Sequence, residues 1–336
     1  MKIAVFSTKS YDEEFLAKAN EAFGHEIKFL EPRLTIETLS LASGYPALCL
    51  FVNDVLTADM LERLSEAGTR IIALRCAGFN HIDLAAAQRH NIMVVRVPAY
   101  SPQAVAEHTL ALILCLNRRI TRAHARVRES NFSLAGLLGF DLSTRTVGVV
   151  GTGKIGLAVV KILAGFDCKI LAYDLYPNKE VVKKGGTYVS FEELMAQSDI
   201  ISLHCPLNPG THHIINEESL AQIKTGAMLI NTSRGGLIDT PSVIRSLKSG
   251  KLGYLGLDVY EEEGDLFFED LSGAVLQDDV FARLLTFSNV IITAHQAFFT
   301  EQALGEIAHT TLQNITELET TGKCGNVVTT ELLGAK

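Results

Sequence analysis

The 336-residue chain has no run of basic residues, and its formal net charge is −8. That balance excludes the broad positive surface that nucleic acid requires. No Cys-x-x-Cys pair occurs among Cys49, Cys76, Cys115, Cys168, Cys205 and Cys324. Most of these lie inside apolar strand or helix patterns, so buried free thiols in a reducing compartment are expected. No apolar run is long enough for a membrane span. In the helical pattern after Pro102 the uncharged run Thr109–Leu116 falls far short of the roughly 20 residues required. Met1-Lys-Ile-Ala-Val-Phe6 reads as a strand that starts at once, not as a basic leader before an apolar segment. A cytoplasmic protein without membrane or nucleic-acid partners is therefore expected. Ser233 is not in a Gly-x-Ser-x-Gly elbow, which removes the case for a hydrolase. No metal site is expected either, because the adjacent His212 and His213 would point apart on any helix. What remains is an ordinary globular balance, 47% hydrophobic and 20% charged, which excludes wholesale disorder. The length suits two domains.

The stretch Val147-Gly-Val-Val-Gly-Thr-Gly-Lys-Ile-Gly156 reads as a strand, a glycine turn and a helix start. Gly151, Gly153 and Gly156 would let a pyrophosphate approach backbone N–H groups at the positive end of a helix. The motif alone is weak, but its context strengthens it. Lys169–Tyr173 reads as the next strand and runs into Asp174, about 20 residues past the glycines, where a ribose 2′-hydroxyl needs an acceptor.

Around this stretch, strand and helix patterns alternate. The first series has strands at Ile3–Ser7, Glu26–Leu30, Ala47–Val52, Arg70–Leu74 and Met93–Val97, with helices at Glu13–Phe23, Ala58–Ala67 and His81–His90. Ser101-Pro102 opens a helical pattern that runs to about Arg128 without a breaker, about 40 Å of helix. It suggests a connector, and an arm that packs on another subunit. The second series adds strands at Ile200–Leu203, Ala227–Asn231, Gly253–Val259 and Val290–Thr293. Such βα alternation predicts two parallel, doubly wound sheets. The final helix, Glu301–Leu318, suits a discontinuous first domain to which the chain returns.

A dinucleotide implies hydride transfer, so the protein must supply substrate binding and a proton. Arg234 lies just past the strand Ala227–Asn231, among small residues, and a guanidinium there can grip a carboxylate at two points. By itself it reads equally as a surface arginine. His295 follows Val290–Thr293, and histidine exchanges its proton near neutral pH. A carboxylate on its other nitrogen would favour the charged ring, but Glu261, Glu262 and Glu263 are consecutive, and chemistry alone leaves the choice among them open. Asp258 ends its strand and could face a cofactor. In the first series the turn Arg75-Cys-Ala-Gly78 could offer backbone N–H groups to a carboxylate.

Together these motifs resemble the D-isomer-specific 2-hydroxyacid dehydrogenases, and within them the fermentative D-lactate dehydrogenases. The similarity covers essentially the whole chain: Arg75-Cys-Ala-Gly-Phe79, Val97-Pro-Ala-Tyr100, Ala106-Glu-His108, the glycine stretch, His204-Cys-Pro206, Asn231-Thr-Ser-Arg-Gly235, Leu257-Asp-Val-Tyr-Glu261 and His295-Gln-Ala-Phe298. Asp265-Leu-Phe-Phe-Glu-Asp270 and Gln277-Asp-Asp-Val-Phe281 look like an insertion of the lactate branch. The resemblance implies a Rossmann NAD-binding domain over 101–298 and a flavodoxin-like substrate domain from 1–100 plus 299–336, with a cleft that closes on substrate. It implies NADH-dependent reduction of pyruvate to D-lactate, with Arg234 holding the substrate carboxylate, His295 giving the proton, and Glu263 as its partner. Asp174 would select NAD over NADP. Lys154, Ile155, Cys205, Pro206, Thr211, Thr232, Ser233, Arg234 and Asp258 match cofactor-lining positions, although some relatives carry asparagine in place of Thr211. Cys76, Ala77, Gly78, Tyr100 and Phe298 match the substrate pocket, with Arg234 and His295. A homo-oligomer, dimer or tetramer, built on the helix from Pro102 is also implied. The alternatives are a bulkier 2-oxoacid such as phenylpyruvate, or a non-catalytic NADH-sensing protein like the family's corepressors.

Overall fold

The computed structural model describes residues 1–331, and the chain divides into two compact units. One comprises Met1–Ser101 and the chain from Phe298; the other is Pro102–Ala297. Of the expected first-domain segment 299–336, residues 332–336 lie outside the described residues.

The first unit runs β1 (Lys2–Val5), α1 (Ser10–Asn20), β2 (Glu26–Phe29), β3 (Ala47–Leu50), α2 (Ala58–Glu66), β4 (Ile71–Leu74), α3 (Leu84–Arg89) and β5 (Met93–Arg96). The strands are all parallel, in the order β2-β1-β3-β4-β5. That is the flavodoxin-like order. Side chains alternate between two cores because successive strand residues point to opposite faces. Ile3, Val5 and Cys49 pack with Leu312 and Ile315 of the last helix, while Ala4, Leu48 and Leu50 pack with Leu61 and Leu64 of α2. Burying one such aliphatic side chain contributes about 1.5–3 kcal/mol. The sequence predicts a helix over His81–His90. It begins instead at Leu84, because the Asp83 side chain accepts the N–H of Ala86 and fixes the helix start there.

The second unit runs α4 (Pro102–Arg118), α5 (Ile120–Arg128), β6 (Thr146–Val150), α6 (Lys154–Ala164), β7 (Lys169–Tyr173), α7 (Lys179–Lys183), β8 (Thr187–Tyr188), α8 (Phe191–Gln197), β9 (Ile200–Leu203), α9 (Glu217–Gln222), β10 (Ala227–Asn231), α10 (Thr240–Ser249), β11 (Leu252–Leu257), α11 (Asp279–Leu285) and β12 (Val290–Ile292). Its seven parallel strands lie in the order β12-β11-β10-β9-β6-β7-β8. The chain leaves β6 in one direction to β7 and later returns on its other side to β9. This is the switch point at which open α/β sheets bind ligands. The last helix, α12 (Glu301–Thr321), belongs to the first unit.

The long helix expected from Pro102 to Arg128 is two helices. Arg119 takes a left-handed conformation, with φ 47° and ψ 43°, and ends α4. Its guanidinium lies over the Tyr254 ring, 5.3 Å from the centroid. Nearby, the Asn117 side chain exchanges hydrogen bonds of 2.8 Å with the Phe140 backbone. Long-range contacts therefore set a break that helical periodicity could not reveal. α4 is buried against α6 and β11, whereas α5 buries no residue. Among the described residues no helix is long and apolar enough to cross a membrane. All six cysteines are free; Cys49, Cys76 and Cys205 are buried and the other three partly so.

Candidate active site

At the end of β6 the chain turns through Gly151, whose φ of 91° disfavours any other residue. A Cβ there would lie 2.4 Å from the Cys205 backbone nitrogen, and one at Gly156 only 2.0 Å from the Gly151 carbonyl oxygen. Both positions are glycine because backbone crosses backbone. Gly153 differs, since a Cβ there would meet nothing within 4 Å. It is exposed, with Lys154, at the N-terminus of the 11-residue α6. An open approach to unpaired N–H groups and a helix dipole fits a pyrophosphate.

Asp174 lies just past β7, half-buried beside this loop. Its carboxylate accepts the Thr152 N–H at 2.5 Å, the Thr152 hydroxyl at 2.9 Å and the Tyr176 N–H at 2.9 Å. The acid is thereby tied to the glycine turn. The turns after β9 and β10 are also joined: Ser233 Oγ donates to the Cys205 carbonyl at 2.7 Å, and Thr232 bonds Thr109 of α4 at 2.9 Å. The hydroxyl of Thr211 donates to the Pro206 carbonyl at 2.6 Å and accepts the Asn208 N–H at 2.9 Å. It braces the turn that carries Pro206. Burial pushes the Cys205 thiol up to about 11, so it stays protonated.

Arg234 follows β10, and its Nη1 donates to the Ser233 carbonyl at 2.7 Å. The next residue sets its position. A Cβ at Gly235 would come within 2.1 Å of the Tyr260 carbonyl carbon, so the arginine turn lies directly on the loop that leaves β11.

That loop carries Glu263, and Glu263 Oε1 lies 2.7 Å from His295 Nδ1. The second oxygen, Oε2, accepts the Tyr260 N–H at 2.9 Å. Both oxygens are held, which orients the carboxylate and, through it, the imidazole. With Nδ1 committed to Glu263, proton exchange falls to Nε2. His295 has a left-handed φ of 52°, a strained value for a non-glycine residue. The Phe268 ring, on a residue also at positive φ (69°), lies 5.8 Å from the imidazole.

The strained turn at His295 is held by Asp258. This carboxylate is 1% exposed. It accepts the Gln296 N–H at 2.9 Å, the Ala297 N–H at 2.8 Å and the Thr293 hydroxyl at 2.5 Å. His108 Nε2, from α4, lies 3.4 Å away. The Asp258 carboxylate is thus buried and engaged by the His295 turn. Burial alone would raise its pKa, but His108, Thr293 and the Ala297 N–H hold it below the usual carboxylate range.

Several contributors were not legible in sequence. His108 and Thr293 brace Asp258, and their motif gave no role for either. Tyr260, Phe267 and Phe281 form a small apolar core under the Glu263 loop, and the Tyr260 hydroxyl donates to Asp278 at 2.7 Å. Phe267, Asp278 and Phe281 therefore buttress the loop that carries Glu263. His204 lies behind the glycine turn with Nε2 2.8 Å from Ser202 Oγ, and burial pushes its pKa down, which disfavours its charged form.

His212 and His213, which would point apart on a helix, are not on one. They lie in a turn, with His213 at φ 50°, and their rings stack with centroids 3.8 Å apart beside Glu261. A cavity of about 640 Å³ opens at the opposite ends of the strands, lined by Arg119, Arg122, Arg145 and Lys224. It contains neither the glycine turn nor the Glu263–His295 pair.

In the first unit the turn Arg75–Phe79 is fixed by Arg75. This buried side chain donates to Asp12 at 3.1 Å and to the Ser7 carbonyl at 2.8 Å. Cys76 Sγ bonds the Gly78 carbonyl at 3.2 Å, and Ala77 and Gly78 are half-buried. Tyr100 meets Phe298 edge-on at 6.0 Å, and Phe51 and Phe299 also pack around Phe298.

Residues 110–297 match the profile of the D-isomer specific 2-hydroxyacid dehydrogenase, NAD binding domain. The D-lactate dehydrogenase of Escherichia coli is 52% identical over 326 residues, spanning 97% of this chain and 99% of that protein. The chain belongs to the D-isomer-specific 2-hydroxyacid dehydrogenase family. The ligand-free structure of Escherichia coli D-lactate dehydrogenase superposes with a TM-score of 0.90 at 49% identity, covering 98% of this chain and 100% of that one. The pyruvate reductase of Chlamydomonas reinhardtii gives 0.92 at 47% identity, covering 97% and 98%. As a member of this dehydrogenase family the chain is an NAD-dependent enzyme. The glycine turn, Asp174, Arg234, Glu263 and His295 all lie within the matched NAD-binding domain.

Proposed function

We propose that this chain is a D-lactate dehydrogenase that reduces pyruvate to D-lactate with NADH, and runs the reverse reaction when product accumulates. The observation that carries the reading is the 2.7 Å Glu263–His295 pair, held on the same unit as the open glycine turn and Arg234. Bound at that turn, NADH supplies the hydride. Arg234 takes the substrate carboxylate through two charge-assisted hydrogen bonds and so sets which face of the carbonyl is attacked. His295 delivers a proton from Nε2 to the keto oxygen, and the Glu263 carboxylate stabilises the ring while it is charged. In oxidation the same nitrogen takes the proton back. Asp174 accepts the adenosine ribose hydroxyls and repels a 2′-phosphate. Lys154, Ile155, Cys205, Pro206, Thr211, Thr232 and Ser233 line the cofactor. Cys76, Ala77, Gly78, Tyr100 and Phe298 contact the substrate. The Escherichia coli and Chlamydomonas relatives, named for D-lactate and pyruvate, support this substrate assignment.

A bulkier 2-oxoacid is the competing substrate. The aromatic group Phe51, Tyr100, Phe298 and Phe299 favours it, because those rings could pack on a phenyl side chain. The test is kcat/KM across pyruvate, 2-oxobutyrate, 2-oxoisocaproate and phenylpyruvate. A phenylpyruvate value well above that for pyruvate overturns the lactate reading.

The second part of the proposal is a cytoplasmic homo-oligomer assembled through α4, α5 and the loop after them. Support comes from Phe132, Leu134 and Leu138, which are 73%, 82% and 89% exposed beside an α5 that buries nothing. Apolar side chains this exposed mark association surfaces. Light scattering of the native protein and of Leu138→Glu tests it: a monomeric native protein overturns this part.

A further inference from the structure

We infer that His212, His213 and Glu261 form a binding site for a zinc-like divalent cation, separate from the catalytic groups. His212 Nε2 lies 3.3 Å from Glu261 Oε1, and His213 Nε2 lies 3.1 Å from Oε1 and 3.0 Å from Oε2. One donor atom from each of the three residues fits within 4.8 Å of the other two. Zinc binds imidazole nitrogen and carboxylate oxygen at about 2.0–2.2 Å, so neighbouring donors around a tetrahedral ion stand roughly 3.3 Å apart. The His–Glu separations already approach that spacing.

The backbone is shaped to make this cluster. Adjacent residues on a helix or strand diverge, and here the left-handed φ of 50° at His213 turns its ring onto the face of His212. The rings stack at an interplanar angle of 23°, so they must open apart for both in-plane Nε2 lone pairs to meet on one ion. Neutral imidazole is the form that ligates a metal. The His212 side chain is 53% exposed and that of Glu261 32%, so water can complete the coordination shell. Two imidazoles and a carboxylate with an open fourth position is a common zinc donor set, and imidazole also suits nickel, copper and cobalt.

The location gives the site a consequence. Glu261 is two residues from Glu263, and a Cβ on Gly236 would stand 3.4 Å from Glu261 Oε1. The His213 N–H donates to the Gly236 carbonyl at 2.9 Å. A bound ion would tether the turn after β9 to the loop after β11, on which both Arg234 and Glu263 depend.

The test uses full-length, untagged protein freed of metal with a chelator. Zinc titration by calorimetry is expected to show one saturable site per chain. Cobalt at one equivalent is expected to give visible ligand-field bands without a thiolate charge-transfer band, which separates this site from the free cysteines. His212→Ala, His213→Asn and Glu261→Gln should each weaken zinc binding at least tenfold. Asparagine tolerates the left-handed backbone, and His212→Ala, at an exposed side chain, keeps the test valid should the His213 variant fold poorly. Zinc should raise the thermal midpoint of the native protein and leave that of His212→Ala unchanged. Absence of saturable binding, a thiolate band, or unchanged affinity in His212→Ala and Glu261→Gln overturns the assignment.

Discussion

Replacing Asp258 by asparagine tests how His295, the proposed proton donor, is held. The substitution preserves shape and removes charge. One side-chain oxygen survives and can still accept from Thr293 and Gln296. The other becomes an amide nitrogen facing the Ala297 N–H, which now donates to Asp258 Oδ2 at 2.8 Å. The variant loses a charge-assisted hydrogen bond of about 1.5–3 kcal/mol and opposes two donors in a buried site, so a net cost of about 3 kcal/mol is expected. Restoring the turn in the transition state would then lower kcat/KM about 100-fold, at about 1.4 kcal/mol per decade. The assay is NADH-dependent pyruvate reduction, paired with urea unfolding of both proteins. The pH dependence carries a sign. The folded carboxylate titrates below its ordinary value. Its contribution to stability is therefore complete above the unfolded pKa of about 3.9 and is lost as pH falls through the depressed folded value. The stability gap between the native protein and Asp258→Asn should be flat from about pH 8 to pH 5 and close only in acid, below about pH 4. A near-native kcat/KM, or a gap that closes near neutrality, would refute the reasoning.

Arg234→Lys should lower kcat/KM for pyruvate about 10- to 100-fold, because an ammonium replaces two charge-assisted bonds with one; measured turnover within threefold of native removes Arg234 from the clamp role. Asp174→Ala should shift the ratio of kcat/KM for NADH to that for NADPH toward NADPH by about tenfold or more, the loss of roughly one charge-assisted bond, and an unchanged ratio counts against its ribose role. The glycines separate by consequence. Gly156→Ala would place a methyl 2.0 Å from the Gly151 carbonyl oxygen, so it should destabilise the unit by several kcal/mol in urea unfolding. Gly153→Ala has open space around it, so it should fold normally and raise the dissociation constant for NADH, as read by fluorescence titration.

The parts of this molecule that sequence reveals are those decided by nearby residues. The buried strands β3, β4 and β9 read as apolar runs because both of their faces are covered. The glycine turn reads because Gly151 answers a backbone crossing at Cys205 and Gly156 one at Gly151, while Gly153 leaves the approach open. The break at Arg119 does not read, because its stacking partner Tyr254 is 135 residues away in the chain. Asp258 reads as a strand-end acid that could face a ligand. Its commitment to the His295 turn depends on three residues after β12 and on His108 of α4.

The three glutamates 261–263 show where local reasoning stops. Side by side they are chemically equivalent, and a solvated acidic loop would account for any of them. Their fates diverge because three different parts of the unit meet the loop. Glu261 reaches the histidine turn after β9. Glu262 is exposed at the start of a short 3-10 turn. Glu263 meets His295, with its second oxygen held by Tyr260, whose ring is anchored in turn by Phe267 and Phe281. A shift of two residues in this loop would exchange the carboxylate that orients His295 for the one beside two stacked imidazoles. The register of that loop is set by the small apolar core of Tyr260, Phe267 and Phe281, so residues beyond the loop determine which glutamate meets His295.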